Sequence, residues 1–390
     1  MTQLSFATLD HRNKKKPTKR ERFLGEMDAV VPWATLVGLI EPHYPKAGKG
    51  RRPYPLEVML RIYFLQQWYQ LSDPGAEEAL YDIQSMRAFA GLELGRDAIP
   101  DETTILNFRH LLEAHDLTKA IFDAVSAHLE DKGALLRGGT IMDATLIAAS
   151  PSTKNKDGKR DPEMSQSKKG NQWYFGMKVH IGVDAGSGLA HTAGVTTGKV
   201  HDAKVMDNLI REDDRAVFAD KGYVNEKKKR AARRAGVYWA VKEKPKAGRR
   251  LSSSQVKRNR RHGAIRAKVE HVFRVLKCQF GYRKVRYRGI EKNGAQVFAL
   301  LALANLFLAR AEVRQHEVAL RVALGASRPA IASSVGPRAS ASTRSGSSCT
   351  ICCGPRTRRA SSPASTASWP MTRTVYCRRP TSAKPPETIR

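Results

Sequence analysis

Gly139-Thr140-Ile141-Met142-Asp143-Ala144-Thr145-Leu146-Ile147 is an apolar run that reads as a core β-strand with a carboxylate set inside it. A second run, Ala216-Val217-Phe218-Ala219-Asp220-Lys221-Gly222-Tyr223, reads as a strand that ends on an acid at a glycine turn. Burying a carboxylate without partners is expensive, so two acids interrupting two such strands need a reason. A third, Glu270, lies on an amphipathic segment studded with Arg and Lys. The 390-residue chain carries Lys+Arg 68 against Asp+Glu 37, a formal net charge of +31. Such a balance favours a polyanionic partner. Three acids in so basic a chain point to a magnesium site that cuts or joins nucleic acid.

The chemistry supports that combination. Two divalent ions about 4 Å apart can activate the attacking oxygen and stabilise the leaving one, and magnesium prefers hard oxygen ligands. Asp143 on a central strand is expected to bridge the ions, with Asp220 and Glu270 completing their coordination. At about 100° per residue, Ile265, Val269, Val272, Phe273, Leu276 and Phe280 form one apolar arc. Arg266, Lys277, Glu270 and Arg274 follow just beyond its edge, so that helix can pack on the sheet while Glu270 reaches a cationic rim. Taken alone, Glu270 has the spacing of an ordinary helix salt bridge. Among the other acids, Asp184 reads as hairpin-turn chemistry and Asp202 as a helix cap, with His201 a candidate neighbour of the metals. Asp207, Asp213 and Asp214 read as solvated.

Outward from the first strand, the texture from Gly138 onward is that of strands. A polar stretch, 150–172, precedes strand-like runs at 173–183 and 188–196. A helix is expected at 202–210, then the Asp220 strand, a basic helix at 225–235, a short strand at 237–241 and the Glu270 helix. This order is that of an α/β domain with a mixed sheet, and it fits a ribonuclease-H-like architecture. Residues 22–135 are helical in pattern, with start signals at Ser72-Asp73-Pro74 and at Asp101. The Asp101 helix carries Thr103, Thr104, Asn107, Arg109 and His110, which suit either DNA contacts in a helix-turn-helix or a solvated face. Arg51-Arg52-Pro53-Tyr54-Pro55 reads as a stiff basic connector. The expected organisation is a basic arm (1–21), an all-helical DNA-binding domain (22–135), a catalytic domain (136–314) and a disordered tail (315–390).

The tail is rich in Ser, Ala, Pro, Thr and Arg, and from 316 on its only acids are Glu317 and Glu387. It reads as a basic DNA-affinity segment or, preferably, as translation past the natural end or out of frame. Residues 317–328 faintly resemble a stretch of bacterial export permeases. Cys349 and Cys352 have half a zinc-site spacing, but no His follows His316, so no zinc site is expected. Only Cys278 falls in the first 348 residues, which fits a reducing cytosol. The apolar run 295–309 is shorter than the roughly 20 residues of a bilayer span and contains Gln296 and Asn305. It reads as a buried helix, and no membrane partner is expected.

Several motifs resemble bacterial insertion-sequence DDE transposases of the insertion sequence five family. They include Ile141-Met142-Asp143-Ala144-Thr145, Lys154-Asn155-Lys156, Lys168-Lys169-Gly170-Asn171-Gln172-Trp173 and Phe175-Gly176-Met177-Lys178-Val179-His180. Ala219-Asp220-Lys221-Gly222-Tyr223, Arg266-Ala267-Lys268-Val269-Glu270-His271-Val272-Phe273-Arg274, Tyr44-Pro45-Lys46-Ala47-Gly48 and the 51–55 connector extend the similarity over roughly residues 3–314. The resemblance implies a ribonuclease-H-like domain that binds the terminal inverted repeats of its element and cleaves and joins DNA. Asp143, Asp220 and Glu270 would hold Mg²⁺, with Mn²⁺ as a substitute, and Arg266 and Lys277 would contact DNA phosphates. A family tyrosine that accompanies these residues is replaced by Gly263 here. The resemblance also implies double-stranded DNA partners (element ends and target), a homodimer on paired ends, and action at the nucleoid in a bacterial cytoplasm. The rival reading is a defective copy that only binds DNA.

Overall fold

The computed structural model describes residues 13–323, apart from 49, 51, 157, 246 and 247. The first part of the expected arm (1–12), Arg51 of the connector, and the tail with its cysteines from 324 on lie outside the described residues.

Helix starts follow the capping signals. Thr18 opens α1 (Lys19–Asp28) with a reciprocal box, its hydroxyl taking the Glu21 N–H while the Glu21 carboxylate takes the Thr18 N–H. After α2 (Trp33–Ile40), α3 (Leu56–Tyr69) is buried on nearly every side, from Met59 through Trp68. It forms the centre of the bundle. Ser72 caps α4 (Asp73–Asp82), α5 (Gln84–Ala90) ends at a left-handed Gly91, and Asp101 caps α6 (Glu102–Ala114) by accepting the Thr104 N–H at 2.6 Å. α7 (Leu117–Asp131) completes the set.

Six strands follow: β1 (Thr140–Ala148), β2 (Ser165–Lys169), β3 (Gln172–Asp184), β4 (Ala190–Thr197), β5 (Ala216–Ala219) and β6 (Tyr238–Val241). They form one sheet, with β3 beside β1, β1 beside β5, and β5 beside β6; β2 and β4 both pair with β3. β1–β3, β2–β3 and β3–β4 are antiparallel, while β1–β5 and β5–β6 are parallel. An antiparallel meander joined through its first strand to two parallel strands is the ribonuclease-H-like arrangement. The crossover into β6 is α8 (Glu226–Arg234), capped by Asn225. α9 (Ser253–Arg274) then runs into a π-helical turn, Val275–Gln279, followed by α10 (Ile290–Ala323).

Two expectations are corrected. β2 lies inside the stretch read as a polar loop: Ser-Gln-Ser-Lys-Lys lacks apolar alternation because it pairs on one side only, as lysine-bearing edge strands do. The helix expected at 202–210 is instead two 3₁₀ turns, Asp202–Lys204 and Met206–Leu209. The β-branched Val205 sits at their junction and favours a helix less.

One apolar core runs from the helices, through Leu36, Phe64 and Ile121, to Ile141, Val179 and Val269 of the sheet region. The apolar run 295–309 is the buried part of α10, with Leu300 through Leu306 without exposure. The helix continues past Arg314 to Ala323, so helical structure outlasts the periodicity legible in sequence. A smaller core of Met142, Met206, Leu209, Val217, Ala219, Tyr223 and Val241 lies elsewhere on the sheet.

Candidate active site

The register of the central strands sets the site. Thr140, Ile141 and Met142 of β1 pair with Val217, Phe218 and Ala219 of β5, and one further step brings Asp220 level with Asp143. Gly139 permits this close approach. Its φ is +110°, and a Cβ there would lie 2.5 Å from the Ala216 carbonyl oxygen. Strand period two puts Asp143 on the face of Ile141 and Thr145, and α9 packs on β1.

α9 delivers the third acid and a cation with it. The Arg266 guanidinium donates to Asp143 Oδ2 and lies 3.4 Å from Glu270 Oε1. Its Nε is buried without a hydrogen-bond partner. Asp143 Oδ1 takes the Ala144 N–H at 2.9 Å. The Asp143 side chain is 18% exposed, against 47% for Asp220 and 58% for Glu270. The described partner of Asp220 is Lys242, 3.8 Å away. Burial pushes the Asp143 carboxyl above the usual carboxylate range; the negative charges of Glu270 and Asp220 add to this, and the Ala144 N–H and Arg266 oppose it. The three acids are therefore near enough to feel one another.

The π-helical turn after α9 places Lys277 against β1, where its ammonium donates to Thr145 Oγ1 at 2.6 Å and to the Leu146 carbonyl at 3.0 Å. Such single-turn bulges are frequent at functional sites. Arg266 and Lys277, expected at DNA phosphates, are thus both engaged with the protein. At Gly263, in the place of the family tyrosine, a Cβ would meet the Lys242 side chain at 3.5 Å.

Tyr223 is a site residue that the sequence reading passed over. Its hydroxyl is buried with no hydrogen-bond partner. Burial first, then the charges of Asp202, Asp143 and Asp220, raise its pKa far above that of a free phenol. Its position three residues after Asp220, at the glycine turn, was the available signal. Asp202 also belongs to this neighbourhood. It pairs with Lys178 at 2.9 Å, and the cap of the 3₁₀ turn is His201, whose Nδ1 accepts the Ala203 N–H at 3.2 Å. The cap expected of Asp202 is therefore made by its neighbour.

Other acids lie apart from this group. Asp184 is wholly buried in the hairpin turn, as its turn spacing suggests, and accepts the N–H groups of Gly138, Gly186 and Ser187. Asp214 is not solvated: it is buried, paired with Arg211 at 3.1 Å three residues before it, and it accepts the hydroxyl of Thr140 from β1, far away in sequence. Arg109, read as a DNA contact, is buried, paired with Asp73 and Glu113, and 4.3 Å from the Tyr287 ring centroid.

The donor chemistry of Asp143, Asp220 and Glu270 fits a hard divalent cation: the ligating atoms are all carboxylate oxygens, and Asp143 is short of positive charge. Among the described residues no three acids, His or Cys already converge as a cation cage. Arg266 lies between Asp143 and Glu270, and the exposure of Asp220 and Glu270 leaves them room to turn inward.

The chain has a distant likeness to a chain in the cryo-EM structure of the piggyBac transposase synaptic complex with hairpin DNA. The likeness has 10% identity and a TM-score of 0.38, over 82% of this chain and 84% of that one. Residues 11–111 match the family described as Transposase domain (DUF772), and residues 135–306 match the one described as Transposase DDE domain. The chain thus carries a transposase DDE domain, containing Asp143, Asp220 and Glu270, behind a DUF772 transposase domain.

Proposed function

We propose that this protein is a DNA transposase of the insertion sequence five type, which binds the terminal inverted repeats of its element and catalyses metal-dependent cleavage and strand transfer. The observation that carries this reading is the register-matched approach of Asp143 and Asp220 with Glu270 beside them, close enough to raise the Asp143 pKa. Asp143, Asp220 and Glu270 are the residues that would hold Mg²⁺ or Mn²⁺. Bound there, such ions activate the attacking oxygen and stabilise the departing one.

The chain's own residues prepare that step. Arg266 keeps the Asp143 carboxylate paired in the free protein and turns to a DNA phosphate as the acids accept cations. Lys277, held by Thr145 and Leu146, presents a fixed positive charge beside β1. The helical region, 22–135, contributes DNA binding, with Thr104 and Asn107 on α6 as contacts. The basic surface gives a salt-sensitive grip on duplex ends. The protein acts as a dimer on paired ends, at the nucleoid of a bacterial cytoplasm.

The test is nicking of DNA carrying the gene's flanking sequence, with and without Mg²⁺. Wild type is expected to cut at fixed positions only with metal, and Asp220→Asn is expected to lose roughly 10³-fold or more in rate. Wild type that binds these ends but never cuts with Mg²⁺ or Mn²⁺ would reduce the protein to a DNA-binding one.

A further inference from the structure

Beyond Asp220, the surface opens into a groove enclosing about 1050 Å³ between α8, β6 and the start of α9. Lys242 stands at the junction: it lines the groove, and its ammonium is 3.8 Å from Asp220 Oδ1. The far walls are basic. Lys229 and Arg233 come from α8, and Lys244, Arg249 and Arg250 from the connection to α9. Among the described residues Arg233, Lys244, Arg249 and Arg250 make no ion pair. The acids of the wall are already paired: Glu243 with Arg258 at 2.8 Å, while it also accepts the Gln255 amide N–H at 2.6 Å, and Glu226 with Lys229 at 3.8 Å.

An aromatic surface faces this charge. Tyr238 lines the groove and is 55% exposed, although it belongs to a sheet strand. It is also held in place. Its hydroxyl lies 3.0 Å from His262 Nε2, and its ring meets the His262 ring edge-on, with centroids 5.8 Å apart. A fixed, exposed ring among unpaired cations is the pairing that single-stranded nucleic acid recognises, with bases stacking on the ring and phosphates on the charges. The volume is at the upper end for an organic ligand site, which is room for a few nucleotides; a duplex can only lie across the mouth.

We propose that this groove binds a short single-stranded segment of DNA, with a base stacked on Tyr238 and its backbone led past Lys242 to Asp220. The assignment rests on the transposase reading for the identity of the nucleic acid. Strand separation next to the scissile bond would supply such a segment, and the groove would hold it away from its complement.

The test uses the full chain and a short oligonucleotide with one 2-aminopurine, followed by fluorescence quenching and anisotropy, beside a duplex of the same sequence. Tyr238→Ala is expected to weaken single-strand binding by about 5- to 100-fold and to abolish quenching, with little change for the duplex. Tyr238→Phe and Tyr238→Trp, which keep a ring, are expected to retain both. Arg249→Ala and Arg250→Ala, at unpaired positions, should each lower the logarithmic salt slope for the strand by about 0.7. The proposal is overturned if Tyr238→Ala binds the strand as wild type does, if Tyr238→Phe fails like the alanine, or if duplex affinity falls equally. These outcomes separate from the cleavage reading. Metal-dependent cutting with a Tyr238-independent strand leaves transposition standing and removes the groove. Tyr238-dependent strand binding without any cutting does the reverse.

Discussion

Two acid clusters sit within about 10 Å of each other along β1, and they are built in opposite ways. At the start of the strand, Asp184 and Asp214 share Arg211, each at 3.1 Å, and Thr140 donates to Asp214. Backbone N–H groups of Gly138, Gly186, Ser187 and Arg211 supply the remaining donors. Three residues further along, Asp143 has one backbone N–H and one arginine, while Asp220 and Glu270 stand half in solvent. Burial would raise Asp184 as it raises Asp143, but the hydrogen bonds from Ser187 and Gly138 and the Arg211 pair outweigh it and hold Asp184 below the usual range. Asp143 ends above that range. The contrast between an acid cluster satisfied so fully and a neighbour with few donors is what supports the proposed cation site at Asp143, Asp220 and Glu270.

Substitution should separate the two clusters most sharply. Asp143→Asn is expected to remove cleavage by roughly 10³-fold while leaving the metal-free melting temperature equal or higher. Asp184→Ala is expected to cost about 3 kcal/mol of stability, because it leaves Arg211 and several buried N–H groups without an acceptor. Rate assays beside thermal melts would break the comparison if both variants lost stability alike.

The pH dependence of melting in EDTA should have opposite signs at the two places. The lowered Asp184 stabilises the fold above the ordinary carboxylate pKa of about 4, and that stability is lost as the pH falls through its folded value. The raised Asp143 works the other way: its contribution is present below pH about 4 and is lost as the pH rises through its folded value. Asp184→Ala should therefore flatten the acid limb, and Asp143→Asn the decline above it. Mg²⁺ should raise the melting temperature of wild type at neutral pH by binding only the folded state.

The smallest effect is expected at the rim of the closed cluster. Asp213 pairs with Arg137 at 2.9 Å, but it is half exposed, and Asp213→Ala should change stability by about 0.5 kcal/mol or less. A loss near that of Asp184→Ala would mean that the rim and the buried pair act as one unit.

The sheet and its acids were legible because their signals are local. An acid inside an apolar strand, an acid at a strand-ending glycine turn, and the helix-start signals at Ser72 and Asp101 can each be read within a few residues. The turn role of Asp184 came from the same kind of spacing. Arg109 and Asp214 were misread because their local partners, Glu113 and Arg211, account for an ion pair but not for burial, which comes from elements far away in sequence. Asp73 and Tyr287 reach Arg109 from other elements, and Thr140 reaches Asp214 across the fold. β2 escaped because a one-sided edge strand needs no apolar alternation.

Hydrophobic periodicity and the cost of burying charge were enough, from sequence alone, to determine a mixed α/β sheet with three conspicuous acids in a strongly basic chain. The tertiary structure decided which charges are spent on the fold and which remain available. Asp220 comes level with Asp143 only through the β1–β5 register, Arg266 lies between two acids only because α9 packs on β1, and Tyr238 shares a groove with cations from α8 and from the connection to α9. These outcomes depend on distances between segments far apart in the chain, and no local pattern encodes such distances.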